Sequence, residues 1–99
     1  MIIYNVTVNI DESVQDEWLQ WMREVHIPDV MRTGFFLQNR ILKVLADEDT
    51  GTTYSIQYTC NTMNDFLEYE HHHAPKLREE HALKYKGKFV AFRTLLEEV

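Results

Sequence analysis

Apolar and polar residues alternate strictly over residues 2–10. Ile2, Tyr4, Val6, Val8 and Ile10 fall on one side, with Asn5, Thr7 and Asn9 on the other. A period of two marks a half-buried strand. The period then lengthens: Val14, Trp18, Trp21, Met22 and Val25 recur at helical spacing opposite Asp16, Gln20, Arg23 and Glu24, which predicts an amphipathic helix. "DES" (Asp11 to Ser13) supplies start chemistry, with Ser13 and Asp16 spaced as a weak capping box. Pro28 disfavours helical geometry at Ile27, so the helix is expected to end near His26. A further short turn through Val30 and Met31 follows, with Gly34 as its stop.

Phe35 to Ala46 reads as a long second strand. "ADEDTGTT" is turn chemistry with Asp49 to Gly51 at the tip. Tyr54, Ile56, Tyr58 and Cys60 then alternate with Thr53, Ser55, Gln57 and Thr59. Thr62 and Asp65 form a second capping box, opening a helix through Phe66, Leu67 and Tyr69. Pro75 predicts a break near Ala74, "KGK" (Lys86 to Lys88) ends the helical stretch, and Phe89 to Leu96 makes a last strand. The order β-α-β-β-α-β is the split βαβ, or ferredoxin-like, arrangement of the α+β class. Residues 1–99 read as one domain: a four-stranded antiparallel sheet with both helices on one face.

The other face carries an informative pattern. In this topology the first and third strands are central, and Asn5, Thr7, Asn9, Thr53, Ser55, Gln57 and Thr59 lie on the uncovered side. All are polar and none is charged. An ordinary solvated face rich in Thr explains this in one way. A face shielded by a second sheet explains it in another, because a charge there would be costly while uncharged hydrogen-bonding groups are tolerated. Phe36, Leu42, Val44, Val90, Phe92 and Leu96 put apolar groups on both faces of the outer strands. That favours a partner sheet, most simply from a second copy, so a homodimer is expected.

Composition narrows the classes. Sixteen acidic against ten basic residues give a net charge of −6, and the basic residues are scattered, which argues against nucleic acid. A single cysteine, Cys60, leaves no intrachain disulfide and no Cys-rich metal signature. No apolar run approaches a membrane span, and "MIIYNVTVNI" lacks a basic leader pattern. A cytoplasmic protein with no membrane partner is the expectation.

The runs "WLQWMREVHIPDVMRTGFF" (Trp18 to Phe36) and "HAPKLREEHALKYKGKFVAFRTLLEEV" (His73 to Val99) resemble an uncharacterised bacterial family of dimeric α+β barrel proteins. The resemblance runs nearly end to end. It implies a ferredoxin-like protomer whose sheet pairs with its twin's to close a barrel. It implies no activity, because the wider superfamily spans cofactor-independent monooxygenases, lactone isomerases, haem-degrading enzymes and non-catalytic members.

Four of the five histidines lie in "EYEHHHAPKLREEH" (Glu68 to His81). Chelation from a helix needs ligands three or four residues apart. Glu70 and His73 have that spacing, but a di-iron site needs matching carboxylates from other helices, and the first helix has no Glu-x-x-His. His73 and His81 are separated by about 12 Å of helix. No metal is expected. Haem, through Asn5 and His71 to His73 by analogy with the superfamily, lacks its nearby tryptophan, since Trp18 and Trp21 are both on the first helix. No cofactor is expected.

Two ionisable residues are candidates for acid/base work. His26 sits at the apolar edge of the first helix: it is either a capping imidazole or an acid/base group at a pocket mouth, with a pKa in the useful range. Glu70 falls in the middle of an apolar arc with Phe66, Leu67, Ala74 and Leu77. It is either salt-bridged to Arg93, Arg40 or a histidine, or a carboxylate of raised pKa in a cleft. Asn5, Thr7, Ser55, Gln57 and His73 are expected to line a ligand cleft between sheet and helices. Two functions follow: small-molecule binding with cofactor-independent monooxygenase- or isomerase-like chemistry, or a non-catalytic structural dimer.

Overall fold

The computed structural model describes residues 1–46 and 50–99. The alternation of the first segment forms strand β1 (Ile2–Ile10). Asp11 starts the helical stretch: its carboxylate accepts from the Ser13 backbone N–H at 2.8 Å and from the Ser13 hydroxyl at 2.6 Å. The expected Ser13 cap is therefore replaced by Asp11, because a 3-10 turn (Glu12–Val14) precedes α1 (Gln15–Trp21).

The helix does not end at His26. A π-helical turn (Met22–His26) runs straight into α2 (Ile27–Arg32). The physical reason is Pro28, whose ring would collide with a carbonyl one ordinary turn back. The wider turn, in which the Ile27 N–H reaches back five residues to the Met22 carbonyl, relieves that collision without breaking the helix. Gly34 (φ +85°) then ends α2 in the left-handed region, as expected.

The second strand is shorter than its hydrophobic run: β2 covers Gln38–Lys43. Phe36 leaves the sheet to fill the core beside Tyr58 and Tyr69. β3 spans Thr52–Cys60, while Asp49, expected at the turn tip, lies outside the described residues. Thr62 caps α3 (Met63–His72), its hydroxyl accepting from the Asp65 N–H at 3.1 Å. His73 breaks the helix, and α4 (Ala74–Lys84) follows with Pro75 in its first turn, where a missing N–H costs nothing. β4 (Phe89–Glu97) closes the chain.

The antiparallel sheet has the order β2-β3-β1-β4. Val6 pairs with Ile56 on one side and Arg93 on the other, so Arg93 shares the helix-facing side with Val6. That side carries the core, centred on Trp18, Val8, Ile10 and Ile56, which are at most 2% exposed. The opposite side has the expected two-tone pattern. Asn5, Thr7, Ser55 and Gln57 form a hydrogen-bonded row, with the Ser55 hydroxyl donating to Asn5 Oδ1 at 2.5 Å and Asn5 Nδ2 to Thr7 Oγ1 at 3.1 Å. Val90 (72% exposed), Phe92 (61%) and Leu42 (41%) flank it on the outer strands.

Candidate functional site

Between sheet and helices lies a cavity of about 40 Å³. β1 and β3 supply its floor through Tyr4, Val6 and Tyr58, and β4 contributes Phe89, Ala91 and Arg93. Met22, His26 and Val30 close one wall, Leu77, Arg78 and His81 the other. Met22, His26 and Val30, spaced four apart, reach this wall from the π-helical turn and α2.

Two imidazoles meet there, their ring centroids 5.7 Å apart. His81 is buried and its Nε2 accepts from the Trp18 indole N–H at 2.9 Å. An indole nitrogen only donates, so this bond fixes the neutral His81 with its proton on Nδ1. Phe89 packs edge-on against the same ring at 4.5 Å. His26 stacks on Trp21 at 5.1 Å, and its Nδ1 is buried with no hydrogen-bond partner.

Burial pushes both histidines down to about 4, because neither can be charged cheaply among apolar walls. Arg93 lowers them further, while Asp29 pulls His26 partly back and His26 itself depresses His81. The expectation of an untuned His26 is corrected here, and so is the capping role. The helix continues past His26, so no terminal carbonyls wait for its ring.

Glu70 is paired, but with a residue the sequence reading did not name. Arg78 grips it with both terminal nitrogens, at 2.6 and 2.5 Å. The break at His73 turns α4 so that Arg78 comes back to Glu70, a return no single helical wheel predicts. Glu70 does not line the cavity. It borders an adjoining surface groove with Phe66 and Leu95, and Tyr4, Arg78 and Arg93 line both spaces. Tyr4 is the hinge of this wall, its hydroxyl oxygen accepting from Arg78 at 3.0 Å and from Arg93 Nε at 3.1 Å.

The polar row is on the wrong side to line this cleft. Asn5, Thr7, Ser55 and Gln57 face away from the helices, since odd positions of β1 and β3 point opposite to Tyr4 and Tyr58. His73 is also elsewhere, half-buried beside Phe35 and Tyr69 at 5.7 and 6.4 Å. His71 and His72 are exposed, and His72 approaches Glu68 at 3.1 Å. Among the described residues, no group of three or more His, Cys, Asp or Glu could hold a metal ion.

Sequence reasoning did not bring His81, Arg78 or Arg93 to the cavity, and named Arg93 only as a partner for Glu70. Arg93 had a readable signal: it alternates with Phe89 and Ala91 on an otherwise apolar side of its strand. His81 had none, because Pro75 removed the helical phase that would have placed it.

A family model described as a domain of unknown function, DUF4286, matches residues 1–99. The chain belongs to this family. No curated protein matches it. Solved structures show the wider fold. An ethyl tert-butyl ether d (EthD) family protein from Bacillus halodurans superposes with a TM-score of 0.68 at 11% identity, covering 100% of both chains. The cofactor-independent oxygenase SnoaB from Streptomyces nogalater gives 0.68 at 12% identity, covering 99% of this chain and 93% of its own. A hydroxynitrile lyase from Passiflora edulis gives 0.65 at 17% identity, covering 99% and 95%. Identities this low establish the fold alone, a ferredoxin-like α+β arrangement. Among the described residues no helix is long and apolar enough to cross a membrane.

Proposed function

We propose that this protein is a homodimer that binds a small molecule in the cavity between sheet and helices and acts on it without a cofactor. The reaction class is proton transfer of the isomerase or cofactor-independent oxygenase kind, with His26 as the acid/base group. One observation carries the reading. A buried imidazole nitrogen without a partner, on the wall of a cavity, is costly unless something arrives to use it.

His26 is neutral at pH 7 and has a free lone pair to take a proton. With a conjugate acid near 4 it is a weak base on its own. An oxyanion developing beside it would raise that value and restore its strength as the reaction proceeds. Structural relatives with the printed activities of oxygenase and lyase support a fold able to carry such chemistry. Dimerisation through the open sheet face is supported by its uncharged centre and by Val90, Phe92 and Leu42 on the outer strands, with Arg40 beside Gln57 the charged residue on that face.

The cavity's size favours a second reading. About 40 Å³ holds a water or two, or one small group, so a purely structural dimer with a hydrated polar pocket also fits. A fragment screen followed by imidazole NMR separates the two. Binding fragments should shift the His26 resonances. Indifference of His26 to every fragment that binds would remove it from the site.

A further inference from the structure

We infer that the cavity and the groove beside it take an organic anion, its carboxylate or enolate oxygen held by Arg93 and the Tyr4 hydroxyl. The inference rests on the ligand-cavity reading above and names the class of ligand.

The charge inventory comes first. The chain has 16 acidic and 10 basic residues. Yet the cavity is lined by two arginines and no carboxylate. Glu70 neutralises Arg78 from the groove side. Arg93 has no such partner. Among the described residues no carboxylate pairs with it, and its Nε donates to Tyr4, which leaves its terminal N–H groups unspent. Both imidazoles are neutral at pH 7, so the local positive charge belongs to Arg93.

Hydrogen-bond accounting points the same way. A phenol oxygen has two lone pairs and one hydrogen. Arg78 and Arg93 occupy both lone pairs of Tyr4, so its hydrogen is left to donate outward. Arg78 Nε is a buried donor with no acceptor. Around one wall, then, Arg78 Nε is buried without an acceptor, the Tyr4 hydrogen is uncommitted, and the exposed Arg93 holds its terminal nitrogens free of any carboxylate among the described residues. A carboxylate is the acceptor-only group that satisfies such a set, and arginine grips it at two points.

The wall's position sets the ligand's shape. Tyr4, Arg78 and Arg93 border both spaces, with His26 and His81 on the inner side and Phe66 and Leu95 on the outer. An anion at this wall would present an adjacent carbon to the imidazoles and lay an apolar tail along Phe66 and Leu95. The Arg93 guanidinium and the Tyr4 hydroxyl also stabilise the negative charge that develops on that oxygen as a proton leaves the adjacent carbon.

The test uses isobutyrate and its neutral isostere isobutyramide, titrated into the intact protein and followed at the Arg side-chain Nε–H and the His26 resonances. Isobutyrate is expected to shift Arg93 and to bind about tenfold more tightly than the amide. It should also raise the His26 pKa, against the background of Asp29, Arg93 and His81 that face this ring. Arg93→Gln should lose that preference, Arg93→Lys should keep part of it, and Lys76→Gln on the exposed side of α4 should change nothing. Equal binding of acid and amide, or isobutyrate binding undiminished in Arg93→Gln, overturns the anion inference while leaving the ligand cavity standing. Binding of neither probe, at any concentration that leaves the protein folded, overturns both.

Discussion

The Trp18 indole N–H donates to His81 Nε2 across 2.9 Å, tying α1 to α4 through the core. Trp18 is fully buried, so no water can substitute for either partner from the bulk. Trp18→Phe keeps the aromatic packing but removes the donor, leaving the His81 nitrogen unsatisfied. The expected cost is roughly 2 kcal/mol, read by urea unfolding. The second expectation is sharper: His81 should lose its fixed Nδ1–H tautomer, which long-range nitrogen NMR reports directly. An unchanged tautomer would mean that another contact sets the ring.

His26→Phe should leave stability unchanged or raise it by up to about 1 kcal/mol. Phenylalanine preserves the stack on Trp21 and replaces a buried nitrogen that has no partner. Any ligand response of the cavity should disappear in the same variant. A loss of several kcal/mol would instead assign His26 to the framework of the fold.

Acid should weaken the fold before the carboxylates titrate. His26 and His81 are held at about 4 in the native state against an ordinary value of 6.5. Between those values the unfolded chain binds more protons than the native one, so stability is full above about pH 6.5 and falls as pH drops towards 4. At full protonation the loss is of order 3 kcal/mol per imidazole. Urea unfolding at pH 7, 6 and 5 should show this slope, and the double variant His26→Phe with His81→Gln should flatten it. A parent protein equally stable at pH 7 and 5 would refute the burial argument.

Thr7→Lys or Gln57→Lys should shift the protein towards monomer. Each places a charge in the centre of the uncharged row, where a second sheet would have to desolvate it. Light scattering across a concentration series is the check. A parent protein that is monomeric at high micromolar concentration would end the dimer proposal.

The fold was legible because two periods, two and 3.6, segregate cleanly along the chain. Thr62 and Asp65 marked the start of α3 by chemistry alone, and Pro75 marked its break. The π-helical turn was not legible. Pro28 has two outcomes, a stop or a widened turn, and only the packing of Ile27 and Val30 against the core decides between them. The candidate site was half legible for a related reason. His26 could be placed on a face, but Glu70 found Arg78 through a helix break whose angle no local pattern encodes. The uncharged row is legible as an open face, but it does not border the cavity between sheet and helices. A strand's alternation tells which residues share a side, and the helices alone determine which side encloses a cavity.

The widened turn at Met22–His26 also acts as a phase adjuster between two stretches of regular winding. The Ile27 N–H reaches the Met22 carbonyl five residues back, where an ordinary helix spans four, so deleting one residue inside the turn would restore regular winding and leave α2 in phase with α1. With Trp18 held by His81, Ile27 and Val30 would stay in the core, and the change would fall on the residues within the turn, His26 among them. One extra residue of backbone thus sets which side chain faces the cavity from a helix that is otherwise continuous. Chains of this fold with and without the insertion would present different residues to the same space.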